Sequence, residues 1–361
     1  MAKISDFKYF VDYEWIKTKQ RKEPVNHDLF TVAGRRIYFD EKVGEEIKLL
    51  KKYFKDNSFV AYLMAPKMAG KGTYTKMLEE VIGKGYFETV SVGDVVREAE
   101  KEYTEQGENS EVYQYVKKHY RGFLSLEEAF ESMARRSTAT VMPTEFVLTL
   151  VKRKIDKSEG KTLFIDGFPR KVDQVSYSLY FRDLINHRED QDIFILINIP
   201  IAIIDARIKN RRICPKCQSS RNTTLFPTSD VRVDEKGEIY MMCDNPECEP
   251  VRLVAKEGDE QGIGLIEDRI ISDLELMELA RKMYGIERIE LYNALEKEKA
   301  FDYVDEYEIT KETSYKVVGK ELKKEEKLLV VIDDDREYYS LYPAPVVVQL
   351  IRQLVKVLGL K

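Results

Sequence analysis

The sequence predicts an α/β fold in which a five-stranded parallel sheet is covered by helices on both faces. The first observation is the stretch Phe59–Thr73, where an apolar run ends in Ala69-Gly-Lys-Gly-Thr73 and helical spacing follows from Tyr74 to Ile82. Further apolar runs alternate with helical patterns along the rest of the chain. Charged residues follow several of these runs, at the strand ends where parallel sheets bind their ligands.

The composition is that of a folded protein with a large solvated surface. Of the 361 residues, 43% are hydrophobic, which is enough for a sizeable core. A further 34% are charged, which requires a large solvated surface. The net charge of −5 gives no nucleic-acid-binding signal at the level of the whole chain and leaves only local basic clusters open. No run reaches the length of a membrane span, and the start Met1-Ala-Lys-Ile-Ser-Asp6 has no apolar core of a signal peptide. We therefore expect a cytoplasmic protein with neither a nucleic acid nor a membrane as partner.

Residues 1–57 are predicted to form an N-terminal extension. They are charged and aromatic, with a short strand expected at Arg36–Phe39 and a helix at Glu45–Phe54. One interpretation is an accessory module that touches a substrate or a partner. The other, which charge-rich segments usually favour, is an extension that packs on the surface of the domain.

The strands of the sheet are predicted from short apolar runs. Ile193–Ile199 is apolar throughout, as a central parallel strand should be. Thr144 is expected to cap a helix over Glu145–Ile155, and Pro345 to open the last helix. In chain order the five predicted strands are Phe59–Met64, Glu88–Val92, Thr162–Asp166, Ile193–Ile199 and Leu328–Ile332.

The loop Ala65–Thr73 is a candidate phosphate-binding site. A turn between a strand and a helix offers free N–H groups and the positive end of the helix dipole, and Lys71 adds a charge. The full pattern G-x-x-x-x-G-K-[ST] has glycine where this chain has Ala65, and here Gly72 separates Lys71 from Thr73. The loop alone is therefore an incomplete match.

Other polar groups also lie at or just beyond predicted strand ends. Asp166, at the end of a buried strand, is suited to holding Mg²⁺ directly or through water; the alternative is a turn or a helix cap. Arg170 could instead form a surface salt bridge. The groups are Ser91–Arg97, Asp166–Arg170, and the arginines Arg207, Arg211 and Arg212.

The four cysteines lie close together in the sequence and have the spacing of a metal site. Four thiolates suit a tetrahedral structural Zn²⁺, and in a reducing compartment such a cluster favours a metal over disulfides. The alternatives are free cysteines, or a zinc ribbon that binds nucleic acid through nearby basic residues. The candidate ligands are Cys214, Cys217, Cys243 and Cys248.

Together these segments closely resemble the adenylate kinase family of nucleoside monophosphate kinases, from about Phe59 to the C-terminus. The resemblance implies a P-loop kinase core at 58–361, an enlarged acceptor-binding domain inserted at 91–144, and a zinc-bearing lid inserted at 212–256. The matching strings are Ala69–Thr73, Ser91–Arg97, Asp166–Arg170 with Gln174, and Arg207 with Arg211.

The resemblance implies that a monomer transfers the γ-phosphoryl group of ATP to AMP, giving two ADP, with Mg²⁺ as cofactor. It assigns ATP binding to Met68, Ala69, Gly70, Lys71, Gly72, Thr73, Arg207 and Arg211, and water-mediated Mg²⁺ binding to Asp94 and Asp166. It assigns AMP binding to Val92, Arg97, Thr140, Val141, Met142, Gly167, Phe168, Pro169, Arg170, Gln174 and Arg269. The catalytic set is Lys71, Arg97, Arg170, Arg211 and Arg269.

Departures from the family pattern leave alternatives. The Gln174 amide suits adenine, but Val92 replaces a threonine often found beside that base, so CMP, UMP or GMP stays open as the acceptor. Family glycines are missing at Ala65 and Met68, whose side chains should point away from the nucleotide. The lid arginine expected before Asp259 is also missing, with Lys256 or Arg252 as stand-ins. A non-catalytic nucleotide-binding regulator is the second alternative.

Overall fold

The computed structural model describes most of the chain. The described residues are 3–20, 25–134, 142–158, 160–167, 191–217, 220–244, 248–255, 259–318 and 321–361. Several predicted site residues therefore lie outside the described residues: Thr140, Val141, Phe168, Pro169, Arg170 and Gln174, together with Lys256.

Helices and strands alternate through the first two thirds of the chain, and strands dominate afterwards. The helices are α1 Val32–Tyr53, α2 Lys71–Ile82, α3 Val92–Gln106, α4 Glu111–His119, α5 Leu126–Ala134, α6 Thr144–Asp156, α7 Ile201–Lys209, α8 Glu267–Lys282, α9 Ala300–Tyr303 and α10 Pro343–Val357. The strands are β1 Phe59–Met64, β2 Phe87–Ser91, β3 Thr162–Asp166, β4 Gln191–Asn198, β5 Arg211–Ile213, β6 Ser220–Asn222, β7 Val231–Val233, β8 Ile239–Met241, β9 Val254–Ala255, β10 Glu287–Tyr292, β11 Ala294–Glu296, β12 Lys311–Val318, β13 Glu321–Leu328, β14 Val330–Asp333 and β15 Arg336–Ser340.

The central sheet confirms the predicted fold class. It has five parallel strands in the order β10-β4-β1-β3-β2. Along β1 the side chains alternate, so that Phe59, Ala61 and Leu63 enter one hydrophobic core and Tyr62 and Met64 enter a second on the opposite face. Burial on both faces follows from helices that cover both sides of the sheet.

The prediction of the fifth strand is wrong. The fifth parallel strand is β10, whereas the predicted run Leu328–Ile332 contributes to β14, in a separate antiparallel sheet of order β11-β15-β14. The physical reason is position: β10 is an edge strand whose first two residues, Glu287 and Arg288, are exposed, so its sequence is not continuously apolar. In the predicted run, by contrast, Val330 is 37% exposed and Ile332 66% exposed.

The N-terminal residues pack into the first core. The predicted strand Arg36–Phe39 is wrong, because these residues lie inside α1, where Tyr38 and Phe39 share a buried face with later turns of the same helix. The predicted helix Glu45–Phe54 is confirmed as the second half of α1. The segment before α1 is also anchored, since the Tyr9 hydroxyl donates to the carbonyl of Ala294 at 2.8 Å.

Two further groups of strands lie outside the central sheet. The cysteine-bearing region carries the sheets β6-β5-β9 and β7-β8, and β12 pairs with β13 as an antiparallel hairpin. Within the described ranges, no helix combines the length and the apolar character that crossing a membrane requires.

Candidate active site

The loop between β1 and α2 has the conformation of a glycine-rich turn even where it lacks glycine. Gly70 has φ 107°, and Met68 has φ 70° although its side chain disfavours that region. A left-handed residue of this kind costs about 1–2 kcal/mol. Neighbouring arginines hold Met68 in place, because Arg207 Nη1 donates to its carbonyl at 2.9 Å and Arg211 Nη1 approaches its Sδ at 3.3 Å.

Lys71 is placed between this loop and the end of β3. Its Nζ donates to the carbonyl of Ala65 at 2.8 Å and lies 3.6 Å from Oδ1 of Asp166. The register of the sheet explains this proximity, since Asp166 pairs with Leu63 of β1 on one side and Ser91 of β2 on the other. The carboxyl ends of adjacent parallel strands therefore bring the lysine and the carboxylate to one edge.

A cavity of about 920 Å³ opens above the loop and collects most of the predicted site residues. This volume is in the range of nucleotide and cofactor sites. The predicted residues that line it are Met68, Ala69, Gly70, Lys71, Gly72, Thr73, Arg97, Asp166, Gly167, Arg207, Arg211 and Arg269. Among these predicted residues, one lysine and four arginines from separate elements therefore surround a single space, an arrangement suited to a polyanion.

Of the predicted nucleotide-site residues that the structure describes, three lie outside the lining of this cavity. Val92 is buried in the second core, and Met142 packs against the same core. Asp94 forms an ion pair with Arg97 one helical turn away, and both side chains are more than half exposed.

Arg211, at the start of β5, is held by a buried carboxylate. Its Nε and Nη2 donate to the two carboxylate oxygens of Asp259, each at 2.6 Å. Arg252, one suggested stand-in for the missing lid arginine, is not among the residues that line the cavity. It stacks on the ring of Tyr240, with 4.4 Å from Cζ to the ring centroid, and its Nη1 lies 3.4 Å from Asp234.

The cavity also contains residues that the sequence reasoning did not find. Arg35 of α1 lines it and forms a two-bond pair with Glu80, at 2.9 and 2.7 Å. Arg35 stands in no motif, so the sequence gives no signal for it. Asp273 of α8 was detectable, because it follows the predicted Arg269 by four residues and so shares its helical face.

The four cysteines converge as a metal site requires. Their Sγ atoms all lie within 4.8 Å of one another, with 3.8 Å from Cys214 to Cys248 and 3.7 Å from Cys217 to Cys243. A tetrahedral Zn²⁺ with Zn–S bonds of about 2.3 Å would place sulfurs about 3.8 Å apart. Desolvation, and then contact with the other thiols, raises the pKa of Cys248 to about 12. A bound cation would reverse that effect, so the donor set fits zinc.

Curated adenylate kinases match about half of this chain. That of Thermotoga petrophila is 32% identical over 205 residues, which are 56% of this chain and 76% of the relative. That of Thermotoga maritima is 31% identical with the same coverage, and that of Desulforamulus reducens is 28% identical over 51% of this chain and 76% of its own. No protein-family model matches the sequence. The similarity covers most of each relative's length, and the chain therefore belongs to the adenylate kinase family and is a phosphotransferase of the nucleoside monophosphate kinase class.

Proposed function

We propose that this protein is an adenylate kinase that catalyses ATP + AMP ⇌ 2 ADP with Mg²⁺. The observation that carries the proposal is the convergence of Lys71, Asp166 and four of the predicted arginines on one cavity of nucleotide size. The relatives are named adenylate kinases, which supports the same reaction. We further propose that residues 91–144 bind the acceptor and that 212–256 form the lid.

The reaction brings two polyanions together, so catalysis is mostly positioning and charge stabilisation. An oxygen of the AMP phosphate attacks the γ-phosphorus of ATP, and the bond from that phosphorus to the β–γ bridging oxygen breaks, leaving ADP. Lys71 and the N–H groups at the start of α2 would hold the ATP phosphates. Arg211 would stabilise the charge on the transferring group, and Arg97 would hold the acceptor phosphate.

The residues present also fit a magnesium ion. The Asp166 side chain ends β3 at the cavity and is 30% exposed, which leaves a carboxylate oxygen accessible to the ion or its waters. Thr73, which also lines the cavity, would offer a hydroxyl oxygen to the ion or its waters. When bound there, Mg²⁺ would neutralise phosphate charge. We propose that Arg170 and Gln174, outside the described residues, complete the acceptor site by gripping the phosphate and the base.

One observation favours testing other acceptors. Val92 has no hydroxyl to offer a base, and its side chain is 4% exposed and packs in the second core. A kinase for CMP, UMP or GMP is therefore the second candidate. Steady-state rates with AMP, CMP, UMP and GMP as acceptors separate the two.

The role of Lys71 is tested by Lys71→Met in a coupled assay of ADP production. Removing one charge-stabilising donor costs about 10²–10³-fold in kcat, and a loss of at least that size is expected because Lys71 lies between the loop and Asp166. The matched control is Lys84→Met, an exposed lysine just after α2, which should retain full activity. Full activity in the Lys71→Met variant, with its thermal unfolding unchanged, would refute the assignment.

A further inference from the structure

The hairpin β12–β13 is an element that the nucleotide chemistry does not use. Its base is fixed to the body of the protein: the amide of Leu329 donates to the carbonyl of Thr310 at 2.9 Å, and the amide of Thr310 donates to Ser340 at 2.7 Å. The amide of Lys311 donates to the Tyr342 hydroxyl at 3.1 Å. The hairpin therefore projects from a firmly held base.

The projecting part of the hairpin reaches the cysteine-bearing region. The amide of Thr313 donates to the carbonyl of Thr224 at 2.7 Å, and Thr313 is only 4% exposed. Two residues further along, on the same face of the strand, Tyr315 packs against the buried cluster that contains Cys214 and Cys243. One backbone hydrogen bond and one aromatic contact thus join the hairpin to this region.

The segment that the hairpin contacts also forms part of the nucleotide cavity. Asn222, Leu225 and Phe226 line the cavity on either side of Thr224. The Asn222 side chain accepts from the amides of Thr224 and Leu225, at 3.0 and 2.8 Å, and donates to the carbonyl of Arg207 at 3.1 Å. A restraint on Thr224 is therefore transmitted to the cavity wall and to α7.

We propose that the β12–β13 hairpin is a strap that docks on the cysteine-bearing lid and holds the Asn222–Phe226 wall of the nucleotide cavity in position. The strap acts on the protein without nucleotide and does not depend on which nucleoside monophosphate is the acceptor. A cleft of about 860 Å³ lies between the hairpin and the lid, and Thr313 and Tyr315 are among the hairpin residues that line it.

The pattern of hydrogen bonds allows the docking to be removed without breaking the hairpin. Thr313 lies opposite Glu326 of β13, but its amide donates to the lid and not to β13. In an antiparallel pair every second residue has its amide directed away from the partner strand, so the amides of Tyr315 and Val317 also face away from β13. Proline is tolerated at such an edge position. Thr313→Pro therefore removes the bond to the lid, and Val317→Pro, on the same edge but beyond the lid, is its matched control.

Hydrogen exchange measured by mass spectrometry on the full-length, zinc-loaded protein without nucleotide tests the proposal. Amides of the lid should exchange about fivefold faster in Thr313→Pro, the factor that loss of one ordinary hydrogen bond gives. Tyr315→Ala should accelerate the same peptides, while Tyr315→Phe, which keeps the ring contact, and Val317→Pro should match the wild type. In Thr313→Pro and Tyr315→Ala, the Michaelis constant for ATP should rise without a fall in kcat.

Two outcomes would overturn the proposal. The first is wild-type exchange of the lid peptides in both Thr313→Pro and Tyr315→Ala. The second is equal acceleration by Val317→Pro, which would attribute the effect to damage within the hairpin and not to lost docking.

Discussion

The Asp259 carboxylate is the partner that keeps Arg211 buried, and its removal is a direct test of how the cysteine-bearing region is joined to the core. Arg211 opens β5, the first strand of the cysteine-bearing region, and Asp259 opens the 3₁₀ helix that follows this region. Two hydrogen bonds of 2.6 Å join them, and each side chain is only 10% exposed. Asp259→Ala would leave an arginine charge buried without its carboxylate.

The magnitude follows from that burial. Removing one partner of a buried ion pair costs about 3–5 kcal/mol, and because both side chains keep some contact with water we expect a loss of about 3 kcal/mol in the free energy of unfolding. The assay is urea unfolding followed by circular dichroism, with the midpoint and the slope fitted separately.

The chain contains a matched control for this variant. Asp230 accepts two hydrogen bonds from Arg232, at 2.8 and 2.6 Å, in the same geometry, but these side chains are 37% and 50% exposed. Solvent screens such a pair, so Asp230→Ala should leave the free energy of unfolding nearly unchanged. Equal losses in the two variants would refute the argument from burial.

Three further outcomes are expected. Burial raises the pKa of Glu308, so the folded state binds the proton of this carboxyl more readily than the unfolded state does. Relative to Glu308→Gln, the wild type should therefore lose thermal stability as the pH rises through that pKa. Parallel pH profiles of thermal stability for the two proteins would contradict this. Met68→Gly should keep the dissociation constant for ATP, measured by calorimetry, within about threefold of the wild type, because residue 68 already has a positive φ. Met68→Ile should weaken ATP binding, because a β-branched residue disfavours that φ. Weaker ATP binding by Met68→Gly than by Met68→Ile would show that φ at this position does not limit the loop. Cys243→Ser should lower the zinc content measured by mass spectrometry, and a wild-type protein that carries no zinc would contradict the site.

The sequence predicted the centre of the sheet well, and of its two edge strands it predicted β2 well and β10 not at all. Thr162–Asp166 was predicted with the observed bounds, because a strand buried on both faces is apolar throughout and ends visibly at a charge. β10 was missed because Glu287 and Arg288 at its start are exposed, so its pattern does not stand out from the charged sequence around it.

The candidate site shows the same division. Short motifs in the sequence predicted the phosphate loop, the carboxylate at the end of β3 and the arginines. Lys71, Asp166 and Arg207 from these motifs line one cavity. Arg35 was not predictable, because its place there depends on α1 packing beside α2, a contact between segments that are far apart in the sequence. The hairpin was missed for a related reason, since its many lysines and glutamates resemble any solvated segment until Tyr315 is seen against the cluster that contains Cys214 and Cys243.

The most direct test of the proposed function is an acceptor scan with purified, zinc-loaded protein, ATP and Mg²⁺. Formation of ADP would be followed with AMP, CMP, UMP and GMP, and with the Lys71→Met variant alongside. We expect turnover with AMP to exceed that with the other three acceptors and to fall by at least about 10²-fold in the variant. ATP binding with no turnover on any acceptor would contradict the account and would favour a regulatory nucleotide-binding protein.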